Sequence, residues 1–268
     1  MDDLRYIYSV ARVRVLETRL LRKEEFSNIL AAQTLDLALR LVSEIVNYAS
    51  DILNVRDSDS LGSFINLEMQ KLYRLGQELF IDTSLWQAYA YLKKDLSRSY
   101  SFIMQSNSEI LKDFIKKFID LYNIKTFLRM NYQKQPAGVL KTNLIEGGYI
   151  ALQEFINPVR DIYLEGEQIS NGVNQFGESW NGGYYQILKD GLEKIENEGS
   201  FSILERDIDD YLASILRPAR YIFFGPEPIF GYCLAKENEL KALRLILLAK
   251  INNISGSEIK KRLTLNYA

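Results

Sequence analysis

Residues 223–263 read FFGPEPIFGYCLAKENELKALRLILLAKINNISGSEIKKRL, and the fold class turns on them. Leu240, Leu243, Leu247, Ile251 and Ile254 keep helical spacing. Leu245, Ile246 and Leu248 fill other faces, and a helix apolar on nearly every side belongs in the middle of a packed domain. Gly225-Pro226 predicts a turn before it, with Pro228 at the first helical position, where a missing N–H costs nothing. Asn252-Asn253 predicts its end, and Ser255 with Glu258 matches the capping box of a short final helix. Glu237, Lys241 and Arg244 follow at i, i+4 and i+7 and share a face. That row reads as an ion pair and its neighbour at a helix–helix seam. A contact point for a partner is the other reading the spacing leaves open.

The rest of the chain carries the same helical period. From Leu4 to Leu21, Tyr6, Val10, Val13, Leu16 and Leu20 form one stripe. Arg12, Arg14 and Arg19 sit among them, and arginines buried in an apolar helix need carboxylate partners, with Glu17 one turn from Arg14. Glu24–Leu30 and Leu35–Leu53 are expected helices, the second with Leu35, Leu39, Val42, Val46, Ala49 and Leu53 on its stripe. Asp57–Ser63 reads as a turn or short linker. Helices are expected again over Leu67–Phe80 and Leu85–Leu96. Another, capped by Ser106 and Glu109, runs through Leu111, Phe114, Phe118, Leu121 and Leu128. Pro136-Ala-Gly138 and Gly147-Gly148 bracket a break, and Gly166–Gly183 reads as a loop, more as a mobile insertion than as a binding loop. Helices return at Tyr184–Ile195 and at Ser202–Leu216, the latter capped by Ser202 and Glu205. With 5 prolines in 268 residues, the chain reads as all-α, one domain over 1–268 with breaks near 57–63 and 136–148.

Composition narrows the function. The 33 basic and 35 acidic side chains leave a net charge of -2, so there is no electrostatic case for nucleic acid or for anionic lipid. No run approaches the roughly 20 apolar residues a membrane helix needs. The opening MDDLRYIYSV lacks a signal-peptide core, and Cys233 is the only cysteine, so a cytosolic setting is expected. Histidine is absent, which excludes a histidine triad, histidine metal ligands and a histidine proton shuttle. Asp207, Asp209 and Asp210 invite comparison with the magnesium motif of helical prenyl-transfer enzymes, but the second acidic cluster such a site needs is missing. No catalytic, cofactor or metal site is expected.

Three ordered motifs resemble the C-type subunit of the archaeal and bacterial V/A-type rotary ATPases (ATP synthases), a relative of the d-type subunit of the eukaryotic vacuolar enzyme. The last comprises Gly231-Tyr232, Lys236-Glu237, Glu239-Leu240, Leu243-Arg244, Ile246, Lys250-Ile251-Asn252 and Ile259–Leu263. The first comprises Ala11, Arg12, Arg14, Glu17, Leu20 and Leu21. The middle one comprises Asp120, Asn123, Ile124, Phe127, Leu128 and Arg129, and Gly147-Gly148 matches a pair that precedes a helix in the family. Asn123–Arg129 (NIKTFLR) also echoes Asn238–Arg244 (NELKALR).

The resemblance implies three similar helical units around a pseudo-threefold axis, forming a funnel or cup. It implies a non-catalytic rotor subunit without a cofactor, peripheral on the cytoplasmic face of the membrane. Its partners would be central-shaft subunits of the D and F type and the membrane rotor ring, between which it would pass torque. The chain is short for that family, so reduction of one unit belongs to the expectation. Arg12, Arg14, Glu17, Asp120, Arg129, Glu237, Lys241 and Arg244 are the candidate structural ion-pair residues, with Arg129 and Arg244 expected to hold buried carboxylates. The alternatives are a helical adaptor unrelated to rotary ATPases and a magnesium-dependent prenyl-transfer enzyme.

Overall fold

The structure, a computed structural model, describes residues 4–44, 48, 50–156, 184–260 and 263. Helices and turns account for all regular structure among these residues. In chain order the helices are α1 (Ile7–Glu17), α2 (Lys23–Ala31), α3 (Leu35–Glu44), α4 (Ser58–Leu79), α5 (Thr83–Tyr91), α6 (Leu96–Met104), α7 (Glu109–Tyr132), α8 (Ala137–Asn143), α9 (Tyr184–Glu198), α10 (Ser202–Leu216), α11 (Glu227–Ile251) and α12 (Gly256–Lys260). Short 3-10 turns lie at Leu4–Tyr6, Ser50–Asn54 and Arg217–Tyr221.

The chain forms two compact units, one of Met1–Trp86 with Ala213–Ala268, the other of Gln87–Leu212. The breaks expected near 57–63 and 136–148 fall inside the first and second units respectively.

In the first unit α11 is the central element. It packs most extensively on α4, then on α1, the 217–221 turn and α12. Leu240, Leu243, Ile246 and Leu247 meet Phe26, Ile29, Leu39, Val42, Ile52, Leu61 and Phe64 in one core. Glu227 and Pro228 form the first turn after Pro226, and Gly225 holds a φ of 129°, which a side chain would resist. Its far end is a Schellman motif. Asn253 takes a φ of 53°, its N–H reaches the Lys250 carbonyl at 3.3 Å, and the Ile254 N–H reaches the Ala249 carbonyl at 2.8 Å. Ile254 is therefore past the helix and exposed, not a member of the buried stripe. Cys233 is fully buried on α11, where apolar surroundings push its thiol up.

In the second unit α7 is the long element, packed against α6 and α8. Leu111, Phe114, Ile115, Ile119, Leu121, Ile124, Phe127 and Leu128 are all buried.

Several boundaries differ from the sequence reading, three of them through local hydrogen bonding. Asp57–Ser63 is not a linker. The Asp57 carboxylate accepts the Ser60 N–H at 2.8 Å while Ser60 Oγ accepts the Asp57 N–H at 3.1 Å, and this reciprocal cap starts α4 at Ser58. Ser108, not Ser106, caps α7, accepting the Leu111 N–H at 3.2 Å. Asp95 accepts the Arg98 N–H at 3.1 Å, which opens α6 and splits the expected Leu85–Leu96 helix. The Leu35–Leu53 stripe is described as a helix only to Glu44. Ile52 is buried in the 3-10 turn while Leu53 faces out. Val46, Ala49, the 166–183 loop and the Glu258 side chain lie outside the described residues.

Leu243 is fully buried where α11 meets its neighbours. We expect Leu243→Ala to destabilise the chain by roughly 2–5 kcal/mol, read from the denaturant midpoint.

Candidate functional site

Two buried polar junctions, one per unit, hold chain segments together. In the first unit Glu239 of α11 points among groups from distant parts of the chain. It accepts the Leu21 N–H at 2.5 Å and bonds from the Tyr48 hydroxyl and the Lys236 ammonium. Lys236 also donates to the Tyr48 oxygen at 2.8 Å and lies 4.3 Å from that ring's centre. Burial, and then the Glu239 carboxylate, push the Tyr48 phenol well above its ordinary value, so it stays a donor.

In the second unit the fully buried Asp120 of α7 holds the turn after Gly148. It accepts the Tyr149 N–H at 3.1 Å, the Ile150 N–H at 3.0 Å and the Tyr184 hydroxyl at 2.9 Å. One turn on, Asn123 donates to the Ile145 carbonyl at 2.8 Å and accepts its N–H at 2.9 Å. Burial raises the Asp120 carboxyl above the ordinary range although these donors favour its charged form. Burial, then the bond to Asp113, brings Tyr149 to about 12. The glycine pair is required sterically. Gly147 has a φ of 112°, and a Cβ on Gly148 would run into Asp120 Oδ1.

These are clamps, in which helix side chains take up backbone N–H groups that would otherwise be buried unpaired. A cavity of about 390 Å³ also opens in the second unit between Lys93, Lys94, Leu96, Phe118, Tyr122 and Lys125.

The ATP synthase (C/AC39) subunit family matches residues 81–262. This chain belongs to that family. The chain is 34% identical over 159 residues to the C subunit of the V-type sodium ATPase of Enterococcus hirae, covering 59% of this chain and 45% of that protein. It is 24% identical over 207 residues to the C subunit of the A-type ATP synthase of Methanobrevibacter smithii, 75% of this chain and 50% of that one. A third relative, the C subunit of the A-type ATP synthase of Thermococcus gammatolerans, is 29% identical over 159 residues, 56% and 40%. The chain thus spans about half the length of the curated relatives it matches. Membership of the C/AC39 family removes the unrelated-adaptor alternative.

The eight ion-pair candidates have unlike surroundings. Arg14, half-buried, bonds Glu17 at 2.7 Å and the Ala219 and Ile222 carbonyls at 2.9 and 2.7 Å. Arg12 is exposed and meets Glu78 at 3.1 Å. Asp120 is held by N–H and O–H donors rather than by a cation. Arg129 is not buried. It pairs with Glu205 at 2.6 Å in solvent and stands over the Phe201 ring, and Ser202 is already the first residue of α10 rather than the expected cap before it. Glu237 is buried, whereas Lys241 and Arg244 are exposed. The row crosses from core to surface, so Arg244 is not the buried partner of a carboxylate. Tyr48, Lys236, Glu239 and Asn123 were not among the eight, although an opposite-charge pair at i, i+3 inside an apolar helix marks Lys236 and Glu239. Asp207 pairs with Arg206 at 2.6 Å, and among the described residues no three acidic, cysteine or histidine side chains form a metal-binding group.

Gly148→Ala is expected to lose roughly 1–3 kcal/mol through the clash with Asp120. Gly138→Ala on α8, where a Cβ meets open space, should instead be neutral or gain up to about 1 kcal/mol; parallel urea denaturation of the two checks both signs. The folded chain holds the Asp120 proton more tightly than the unfolded one, where aspartate titrates near 3.9, roughly. Its stability contribution is therefore full below that value and falls as pH rises through the raised folded value. Asp120→Asn should lack this falling component when denaturant midpoints are compared across the acid range.

Proposed function

We propose that this chain is a non-catalytic rotor subunit of a V/A-type ATPase, linking the central shaft to the membrane rotor ring and passing torque between ATP turnover and proton or sodium movement. The match to the ATP synthase (C/AC39) subunit family over 81–262 carries this reading. Its partners are then shaft subunits of the D and F type and the ring. It is then peripheral on the cytoplasmic face; among the described residues no helix is long and apolar enough to cross a membrane.

A pseudo-threefold arrangement of helical units into a funnel is part of the same proposal. It is supported by the recurrence of Asn123–Arg129 in Asn238–Arg244, where Leu128 and Leu243 are both fully buried and Arg129 and Arg244 both exposed. The clamps fit a torque-bearing role, since polar networks with every group satisfied are stiff.

Reconstitution of catalytic head and membrane sector with and without this chain tests the reading. ATP hydrolysis by the head should persist without it, while proton or sodium uptake into vesicles should be lost. Full ion uptake in its absence would refute the role.

A further inference from the structure

We propose that the cavity in the second unit is a binding site for an organic phosphate, a molecule with a flat apolar body and a phosphate group. Phe118, Leu121, Tyr122 and Lys125 follow at i, i+3, i+4 and i+7 on α7, so they share one face, and all four line the cavity. Leu92, Leu96 and Ile145 complete the apolar wall. The volume of about 390 Å³ falls in the range of small-molecule sites, roughly 300–1,000 Å³, and is many times the ~30 Å³ share of one water. Ile119, Leu121 and Asn123 are fully enclosed, whereas Phe118 and Tyr122 on the same helix are only half-buried. Their rings are apolar surface that a flat body in the cavity would cover.

The walls are already fixed. The Lys94 and Asp95 N–H groups both reach the Tyr91 carbonyl, at 2.9 and 2.8 Å, which closes the 92–95 turn. Asn123 holds Ile145 by its carbonyl at 2.8 Å and its N–H at 2.9 Å. A pre-formed site spares a ligand the cost of ordering it. Charge then selects the ligand class. Among the described lining residues Lys93, Lys94 and Lys125 supply ammonium groups, and Asp95 supplies the carboxylate. Asp95 serves the start of α6, with one oxygen on the Arg98 N–H at 3.1 Å and the other on the Arg98 guanidinium at 3.0 Å. Lys125 lies 3.7 Å from Glu205, which Arg129 holds more closely at 2.6 Å. An ammonium has three N–H donors, so such a contact leaves others for a phosphate oxygen. Lysine binds phosphate as a point charge, and clustered ammonium groups suit its roughly two negative charges better than the single charge of a carboxylate.

The test titrates naphthyl phosphate into the full chain by isothermal calorimetry. It should bind with a dissociation constant of about 1 mM or tighter. Naphthol, which lacks the charge, and inorganic phosphate, which lacks the body, should each bind at least about tenfold more weakly. Lys125→Gln should weaken naphthyl phosphate by about fivefold or more. Ser97→Trp, at an exposed position lining the cavity, should block it with unchanged melting. No binding at about 5 mM would overturn the proposal. So would naphthol or inorganic phosphate binding as tightly as naphthyl phosphate, or wild-type affinity in both variants. Vesicles separate the sources of the phosphate. Co-sedimentation with phosphatidic acid vesicles but not phosphatidylcholine ones, lost in Ser97→Trp, assigns the site to a lipid headgroup. Naphthyl phosphate binding without vesicle binding assigns it to a soluble organic phosphate. None of these readouts depends on the rotor assignment.

Discussion

Glu239 brings a negative charge into the middle of the first unit, and the surrounding polar groups are placed to meet it. An isolated carboxylate there would cost several kcal/mol, roughly. The charge is offset by the Lys236 ammonium, the Tyr48 hydroxyl and the Leu21 N–H, which come from one turn before on α11, from residue 48, and from the stretch between α1 and α2. Each of these segments is thereby fixed in register on α11. The apolar core could tolerate small slides of one helix on another; the junction admits only one arrangement, because a shifted donor leaves the charge unmet.

The second unit repeats the logic without a cation. Asp120 and Asn123 lie on the buried face of α7 and bind the turn from Ile145 to Ile150 entirely through its backbone and through Tyr184. Backbone recognition explains why the neighbouring positions are glycines: Gly148 leaves the space the carboxylate fills. The residues quoted from the chain's three sequence motifs thus divide into clamps, such as Asp120, Asn123 and Glu239, and surface residues, such as Arg129 and Arg244.

Much of this was open to reading from the chain. The all-round apolar character of 227–251 implied a central helix, and the inward stripes of α1 and α7 followed from spacing. Boundaries were harder where one side chain has two local uses. Asp and Ser at 57–63 favour turns and helix caps alike, and only the reciprocal bonds of Asp57 and Ser60 separate the two. Burial of individual charges was harder still. On a helix apolar nearly all round, periodicity does not say which narrow arc meets solvent, so Glu237, Lys241 and Arg244 looked equivalent and are not. The partners of Glu239 lie 191 and 218 residues away in sequence, beyond any local pattern.

The burial of Cys233 bears on how motion in this molecule can be watched. It is the chain's only cysteine, fully enclosed, with its thiol held in the unreactive protonated form. The native sequence is therefore already silent toward maleimides and spin-label reagents. A cysteine introduced at an exposed position becomes the one addressable point, and distances or rotations can be followed without first stripping out a native residue from the centre of α11.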